Sequence, residues 1–509
     1  MNSSDLLIHL NPADPVAIAR AEIAAGARLA APDGATITAR ETIPAGHKLA
    51  LRDLPAGAPV LRYGALIGAA TQAIPAGSWV HLHNLAVPAE SGQSEIRVVQ
   101  PWPVTDAART FMGYPRKNGR AGVRNYIAVI ATVNCATHVA TRIARHFTPE
   151  LLAAYPNVDG VLPIVHGSGC ALPPGGLSKT YLKRLLGQLD RNPNVAAAIY
   201  VGLGCEVMQL DDCRPVYTSD ELGRLGPEGF VIQDQGGFHR TVQAGIAAIE
   251  RLLPQANAVA RQPVPLNNLA LALQCGGSDG WSGVTANPLM GRVVDEVVRA
   301  GGMAALAETP EIYGAEGLLL WRVTGQPVAD KLLERIRWWT DEAQKRGFSL
   351  DNNPAPGNKA GGLTNIFEKS LGAVAKAGSS PLNGVYEYGE WIDRDGLVFM
   401  DSPGNDPFSV TGQIGSGCNM VLFSTGRGSL FGSPLAPTIK LATSSSLFNR
   451  MPEDMDFNCG RVLEGESWET LTAELLQQVI DVASGKRTCS ESHGPIETEF
   501  VPWQPDAVL

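Results

Sequence analysis

Four cysteines in this chain close apolar runs and open small-residue loops. IAVIATVNC ends at Cys135, VLPIVHGSGC at Cys170, AIYVGLGCE carries Cys205, and LALALQCGGSDG carries Cys275. A thiolate is both a nucleophile and a soft metal ligand. One such cysteine reads equally well as a small buried hydrophobe, but four in the same context favour a metal or thiolate site. The spacings are long and hold no C-x-x-C, which points away from a zinc ribbon and from a thiol redox enzyme. Iron suits such donors: three thiols leave one iron of a cluster open, and four close it. Spacing does not choose between a mononuclear ion and a cluster. Cys213 and Cys489 lie in polar, loop-like text and read as incidental.

Imidazoles supply the next candidates. Of nine histidines, His47 beside Lys48, and His81 and His83 in the phrase His81-Leu-His83-Asn84, stand out in the first 90 residues. In a strand, residues i and i+2 share a face, so His81 and His83 are expected to point the same way. Such a pair binds a metal or works as acid and base near neutral pH; otherwise it decorates a solvated strand. His166, four residues before Cys170, adds an imidazole beside the cysteine loops.

Two Gly-rich loops offer anion handles. Asn353-Pro-Ala-Pro-Gly-Asn-Lys-Ala-Gly-Gly362 precedes a helix-like segment at 363–377, and Lys359 adds charge to its backbone N–H groups. Ser424-Thr-Gly-Arg-Gly428 follows a strand-like run, where Arg427 can fork onto a carboxylate. Neither loop has Walker A spacing, and no G-x-G-x-x-G follows a strand, so a nucleotide site has little support. The competing reading of both is an ordinary tight loop.

The elements that must position these groups change character along the chain. Ile43-Pro-Ala-Gly46, Leu54-Pro-Ala-Gly57 and Ile74-Pro-Ala-Gly77 repeat one turn signal, and short β-prone runs follow, so residues 1–90 read as a small all-β module. Residues 91–112 are polar and Pro-punctuated and read as a linker. Residues 113–265 alternate short Val/Ile-rich runs (126–133, 160–165, 196–203, 230–233) with helices such as 136–146, the pattern of parallel strands covered on both faces. Residues 266–509 carry the Gly-rich loops, strand candidates at 269–274 and 420–424 and a closing helix at 468–484. The expected fold is therefore multidomain α/β: the β module, then two Rossmann-like layered domains. In such sheets ligands bind outside the carboxyl ends of the strands, where the cysteines fall.

Composition narrows the classes. With 509 residues, 44% hydrophobic, several domains are expected and disorder is excluded. A net charge of −9 gives no general attraction to nucleic acid or anionic membrane. No 18-residue apolar run and no signal-like N-terminus occur, so a cytoplasmic protein with no membrane partner is expected. A homodimer is the commonest assembly for such a chain.

GYPRKNGRAGVRNY, HGSGC, GLGCE, QCGGSDGWSGVTANP, ETPEIYGAE, NPAPGNKAGG, VLFSTGRGSLFG and PTIKLAT together resemble the altronate/galactarate dehydratase family over nearly the whole chain. GHKLAL and VHLHN resemble that family's N-terminal SAF module, a β-clip fold. HLHN and the segment around Cys418 are closer to altronate-type members, while HGSGC departs from their pattern. The resemblance implies an iron-dependent hydro-lyase that dehydrates a sugar acid such as D-altronate to a 2-keto-3-deoxy acid. It also implies alternatives: a galactarate dehydratase, a sulfolactate-type lyase, or a carbohydrate-binding regulatory protein. The expectation is that Cys135, Cys170 and Cys205, with Cys275, hold iron. His47, Lys48, His81, His83 and His166 supply acid–base groups, and Ser278, Asp279, Asn358, Lys359 and Arg427 grip the substrate.

Overall fold

The β module is built from one turn used repeatedly. In each Pro-Ala-Gly phrase the glycine takes a left-handed φ, +81° at Gly46, +81° at Gly57 and +83° at Gly77. The residue after each glycine donates its N–H to the proline carbonyl (His47 to Pro44, Ala58 to Pro55, Ser78 to Pro75), the geometry of a type II turn with glycine at its third position. The computed structural model describes residues 6–87, 95–106, 108–213, 227–494, 496 and 499–507. It contains a fourth copy of this turn at Gly26, where Ala24-Ala25 stands in place of Pro-Ala. The hydrophobic residues that open the four phrases pair across the module, Ile23 with Ile43 and Leu54 with Ile74. The turns connect an antiparallel four-stranded sheet ordered Leu7–Ile8, Val16–Ala19, Lys48–Ala50, Trp79–Val80, a hairpin Arg28–Ala30/Thr36–Thr38, and a three-stranded sheet ordered Pro59–Arg62, Ala65–Ala70, Leu85–Ala86.

Where described, the segment read as a linker lies against the C-terminal domain: Arg97 N–H donates to the Leu320 carbonyl and Val99 N–H to that of Val323. Its end joins the strand Thr110–Pro115, which pairs antiparallel with Gln262–Pro265.

The apolar runs that follow form parallel strands. The first sheet is ordered Gly160–Ile164, Tyr126–Ala131, Val195–Gly202, Glu228–Val231. All eight residues of Val195–Gly202 are buried, because helices cover both faces: Thr137–Ala144 and Phe238–Asn257 on one, Leu177–Leu189 on the other. The second sheet has seven parallel strands, ordered Leu382–Tyr386, Gly396–Met400, Met303–Ala307, Ala270–Cys275, Met420–Thr425, Thr438–Ala442, Phe457–Asn458. Chain order reverses at Ala270–Cys275: the strands after it go first to one side, then to the other. A crevice for ligand is expected outside the carboxyl end of a strand at such a reversal.

The two sheets are clasped at their amino ends by asparagines. Asn194 Nδ2 donates to the carbonyls of Asn419 and Leu435, each at 2.8 Å, and its Oδ1 accepts from Val123 and Arg124 N–H. Asn419 Nδ2 donates to the Asn268 carbonyl at 2.9 Å and its Oδ1 accepts from Ala270 N–H. Helices Leu177–Leu189 and Asp406–Gly415 pack into the one core that both sheets share. No helix among the described residues is long and apolar enough to cross a membrane.

Candidate functional site

At the order reversal the carboxyl ends of Ala270–Cys275 and Met420–Thr425 lie side by side, and the β module closes over them. The Gly46 turn is pressed so tightly onto two C-terminal loops that a Cβ on Gly280 would meet the Gly46 carbonyl oxygen at 2.3 Å and one on Gly362 at 2.7 Å. Between the walls is a cleft of about 410 Å³. Arg20, Pro44 and His47 line one side; Asp279, Trp281, Gly361, Arg427, Ser445 and Arg450 are among those lining the other.

His47 and Asp279 carry the chemistry of this cleft. Trp79 Nε1–H donates to His47 Nδ1 at 3.2 Å, which assigns the proton of the neutral ring to Nε2. Burial, with Lys48 adjacent, pushes His47 down to about 4, so at neutral pH the ring is an uncharged Nε2–H donor. His81 stacks on Trp79 at 5.0 Å and meets His47 edge-on at 5.1 Å. Burial lowers it also to about 4, and its Nδ1 is buried with no hydrogen-bond partner among the described residues. Asp279 is 6% exposed. Its Oδ1 accepts from Trp281 N–H, Ser282 N–H and Ser282 Oγ–H, and its Oδ2 only from Thr443 Oγ–H, at 3.2 Å. Burial still pushes the carboxyl up to about 6, into the range where a carboxylate exchanges protons near neutrality.

A buried ion cluster fixes the module to this site. Lys48, fully buried, donates from Nζ to Glu368 Oε1 at 2.7 Å and to the Gly362 carbonyl at 2.9 Å. Arg62 bonds the same carboxylate and donates to the Gly280 carbonyl at 2.7 Å, while Thr364 donates to Glu368 from N–H and Oγ–H. Burial opposes the charge on Glu368, but Lys48 and Arg62 hold its carboxyl down to about 2. Burial pushes Lys48 to about 8, still protonated at pH 7. Its ammonium is therefore committed to positioning and does not face the cleft.

Sequence expectations meet mixed outcomes here. The strand before His81 ends at Val80, and residues 81–84 form a turn closed by Asn84 N–H to the His81 carbonyl. His81 is therefore buried and His83 exposed, while both rings lie against Trp79, at 5.0 and 5.6 Å. His166 is buried with Nε2 on the Ala131 carbonyl at 2.9 Å and Nδ1 accepting from Ser168 N–H, so the ring ties a loop down. Asn358 is spent on Ser278 and Ala355 backbone, and Ser278 Oγ on Cys275. Lys359 is half-buried on a five-residue helix, Pro356–Ala360. Sequence reading missed Glu368, Arg62, Trp79, Arg20 and Arg450. The sequence signal for Glu368 was a carboxylate in a helix, Ile366–Val374, whose other residues apart from Lys369 and Ser370 are apolar or small.

The cysteines divide. Cys275 is buried, its Sγ 2.8 Å from Ser278 Oγ, and behind it lies a second buried charge group of Glu308, Glu311, Lys369, Lys376 and Asp406. Cys135, Cys170 and Cys205 are exposed, at the carboxyl ends of three adjacent strands of the other sheet. Cys275 thus ends a strand of a different sheet from the other three. No three His, Cys, Asp or Glu side chains among the described residues close on a single ion. Thiolates are soft donors of the kind that iron takes. A larger groove, of about 1200 Å³ beside helix Trp468–Ala483, has its arginines paired: Arg292 with Glu469, Arg299 with Glu296, and Arg109 with Asp106 and Glu296.

Three family models match in succession: the altronate/galactarate dehydratase SAF domain over residues 5–88, the D-galactarate dehydratase/altronate hydrolase second domain over 113–257, and the D-galactarate/altronate dehydratase C-terminal domain over 266–508. The chain is 37% identical to the altronate dehydratase of Escherichia coli (strain K12), over 95% of this chain and 96% of that one. It is 34% identical to the galactarate dehydratase (L-threo-forming) of the same organism, over 94% and 92%. It is 31% identical to the (2R)-sulfolactate sulfo-lyase subunit beta of Chromohalobacter salexigens, over 77% and 97%. A β module, two parallel-sheet domains and a cleft at the point of strand reversal thus stand in the order of these relatives, and the chain belongs to the altronate/galactarate dehydratase family.

Proposed function

We propose that the chain is a hydro-lyase that removes water from a sugar acid of the altronate type, giving a 2-keto-3-deoxy acid, and that it does so in the cleft between the β module and the C-terminal domain. The observation that carries this is the pairing of Asp279 and His47, from different domains, on one cleft with Arg427 and Arg20. Dehydration of a 2,3-dihydroxy carboxylate needs a base for the C2 proton and an acid for the departing C3 hydroxyl. Asp279, ionised above about 6, is the base. His47, neutral and held by Trp79 and His81, polarises the leaving oxygen as an Nε2–H hydrogen-bond donor and keeps its own proton, so that the proton Asp279 takes from C2 is the one that leaves with the C3 hydroxyl as water. Arg427 takes the substrate carboxylate; Arg20, whose buried Nε lacks a partner among the described residues, takes its hydroxyls. Iron, held by Cys135, Cys170 and Cys205, supplies Lewis-acid character toward a carboxylate and hydroxyl when bound. The single strand-order reversal of each sheet supports the Rossmann-like reading of both domains.

The test is anaerobic incubation of the full chain, with Fe²⁺ supplied, against altronate, galactarate and sulfolactate, reading 2-keto acid or released sulfite. Turnover of altronate is expected. Preference for galactarate or sulfolactate would reassign the substrate, and no turnover on the panel would overturn the hydro-lyase reading.

A further inference from the structure

The cleft holds its charges unpaired. Arg20, Arg427 and Arg450 line it with Asp279 and Glu464, while His47 beside them is neutral. None of the five charged side chains makes an ion pair among the described residues. Arg461, on the same short segment as Glu464, is instead spent on Glu466 and Glu474. Three guanidiniums facing two carboxylates leave one positive charge, and one substrate carboxylate neutralises it.

These charges are divided between two sides of the cleft. A Cβ on Gly361 would stand 2.9 Å from Asp279 Cβ and 3.4 Å from Arg427 Cδ, so Asp279 and the stem of Arg427 flank one glycine. Arg450, closing helix Ser445–Arg450, sets its Nη2 3.5 Å from the Arg427 carbonyl. Two cations therefore gather beside Asp279, where C1 of the substrate must lie if C2 is to lose its proton there. Glu464 reaches the cleft from the seam with the β module. It ends the segment Cys459–Glu464, in which a Cβ on Gly460 would stand 2.3 Å from Ser445 N and Leu463 packs against Trp281 and Ile18. Arg20 follows Ile18 by two residues. This side thus offers one guanidinium and one carboxylate, a donor and an acceptor with no net charge, which suits hydroxyls.

We propose that Glu464 is the specificity-determining residue of this cleft: it admits the uncharged polyol end of an aldonate and turns away the second carboxylate of an aldarate. The inference rests on the hydro-lyase reading above and adds the repulsive element by which a site discriminates between closely related acids. At the far carbon an aldonate carries a hydroxyl, which donates to Glu464. An aldarate carries a carboxylate there, which has no proton to donate and adds its charge to those of Glu464 and Asp279. Excess negative charge also favours the protonated form of Asp279, which is no base. A dianion is therefore penalised twice, on entry and at proton abstraction.

Glu464→Gln keeps the shape of the side chain and removes its charge. Glu464 is exposed, so the variant is expected to melt as the parent does. The full chain with Fe²⁺ supplied is measured against altronate and galactarate, both for kcat/KM and for binding by calorimetry. The parent is expected to favour altronate, and Glu464→Gln to reduce that preference about tenfold, as one charge removed from a partly solvated site does. Glu464→Asp should retain the preference. The difference between parent and Glu464→Gln should shrink in molar salt, where the screening length falls to about 3 Å. An unchanged preference in Glu464→Gln while altronate is turned over would overturn the role of Glu464 and leave the hydro-lyase reading standing. No turnover of either acid, with a binding preference that Glu464→Gln still reduces, would overturn the hydro-lyase reading and leave the selection. A parent that favours galactarate would overturn the proposal outright.

Discussion

The cleft and the thiol edge are both carboxyl-end sites of parallel sheets, yet they are built by opposite means. At the cleft the groups from the β module are held by buried partners: Lys48 reaches Glu368 across 320 residues, and His47 is fixed by Trp79. At the edge the thiols are exposed and their support is backbone, loop against loop within one domain. Charge that must change its protonation state is surrounded by protein, which moves Asp279 to about 6 and His47 to about 4. The thiols of the edge are left on the surface. The contrast separates side chains whose protonation is tuned by a closed environment from side chains left open to solvent.

The contrast breaks most sharply at Asp279. Asp279→Asn is expected to lower kcat roughly 10²- to 10⁴-fold. In the parent the kcat/KM profile should fall as pH drops through about 6, where the carboxylate base is protonated, and this limb should vanish in the variant. Glu368→Ala comes next. It strands Lys48 and Arg62 without their carboxylate, and denaturant titration should show a loss of about 3–5 kcal/mol, the cost of breaking a buried pair by removing one partner. The sign with pH follows from the same group. Glu368 is held down to about 2 in the fold, so its stabilisation is complete above its ordinary carboxylate range and is lost as pH falls from there toward 2.

Trp79→Phe keeps a ring against His81 but removes the donor to His47 Nδ1. We expect kcat to fall by about tenfold, the size of one lost net hydrogen bond of about 1.4 kcal/mol, and KM to stay near its parent value. The smallest effect sharpens the comparison from the other side. Cys135→Ser and Cys205→Ser should shift stability by no more than about 0.5 kcal/mol, as surface substitutions do, because both thiols are exposed.

Much of the edge was legible in the sequence because it is local. A Val/Ile-rich run followed by small residues and a cysteine states both the strand and where its end lies, and Cys135, Cys170 and Cys205 needed nothing else. Cys275 has the same text, but which sheet a strand joins is decided by pairing over long separations. The cleft was only half legible. Arg427 and His47 stood out by residue type beside glycine. Glu368 did not, since its partners are 306 and 320 residues away. The alternation expected at His81 and His83 failed because the strand stops at Val80, where Asn84 closes a turn, and polar residues two apart cannot announce that stop. The fourth turn at Gly26 escaped notice because alanine replaces proline, although glycine alone supplies the left-handed φ.

The asparagine clasp bears on how the chain comes apart. Separating the two sheets would expose Asn194 and Asn419 together with the carbonyls of Asn268, Leu435 and Asn419 at the starts of their strands. The second domain cut free at residue 265 would lose these partners and half of the core it shares with helix Asp406–Gly415. The two α/β domains are therefore one cooperative unit in spite of their separate sheets. Gene fragments encoding either alone should give aggregation-prone protein, and a calorimeter should see them melt in a single transition.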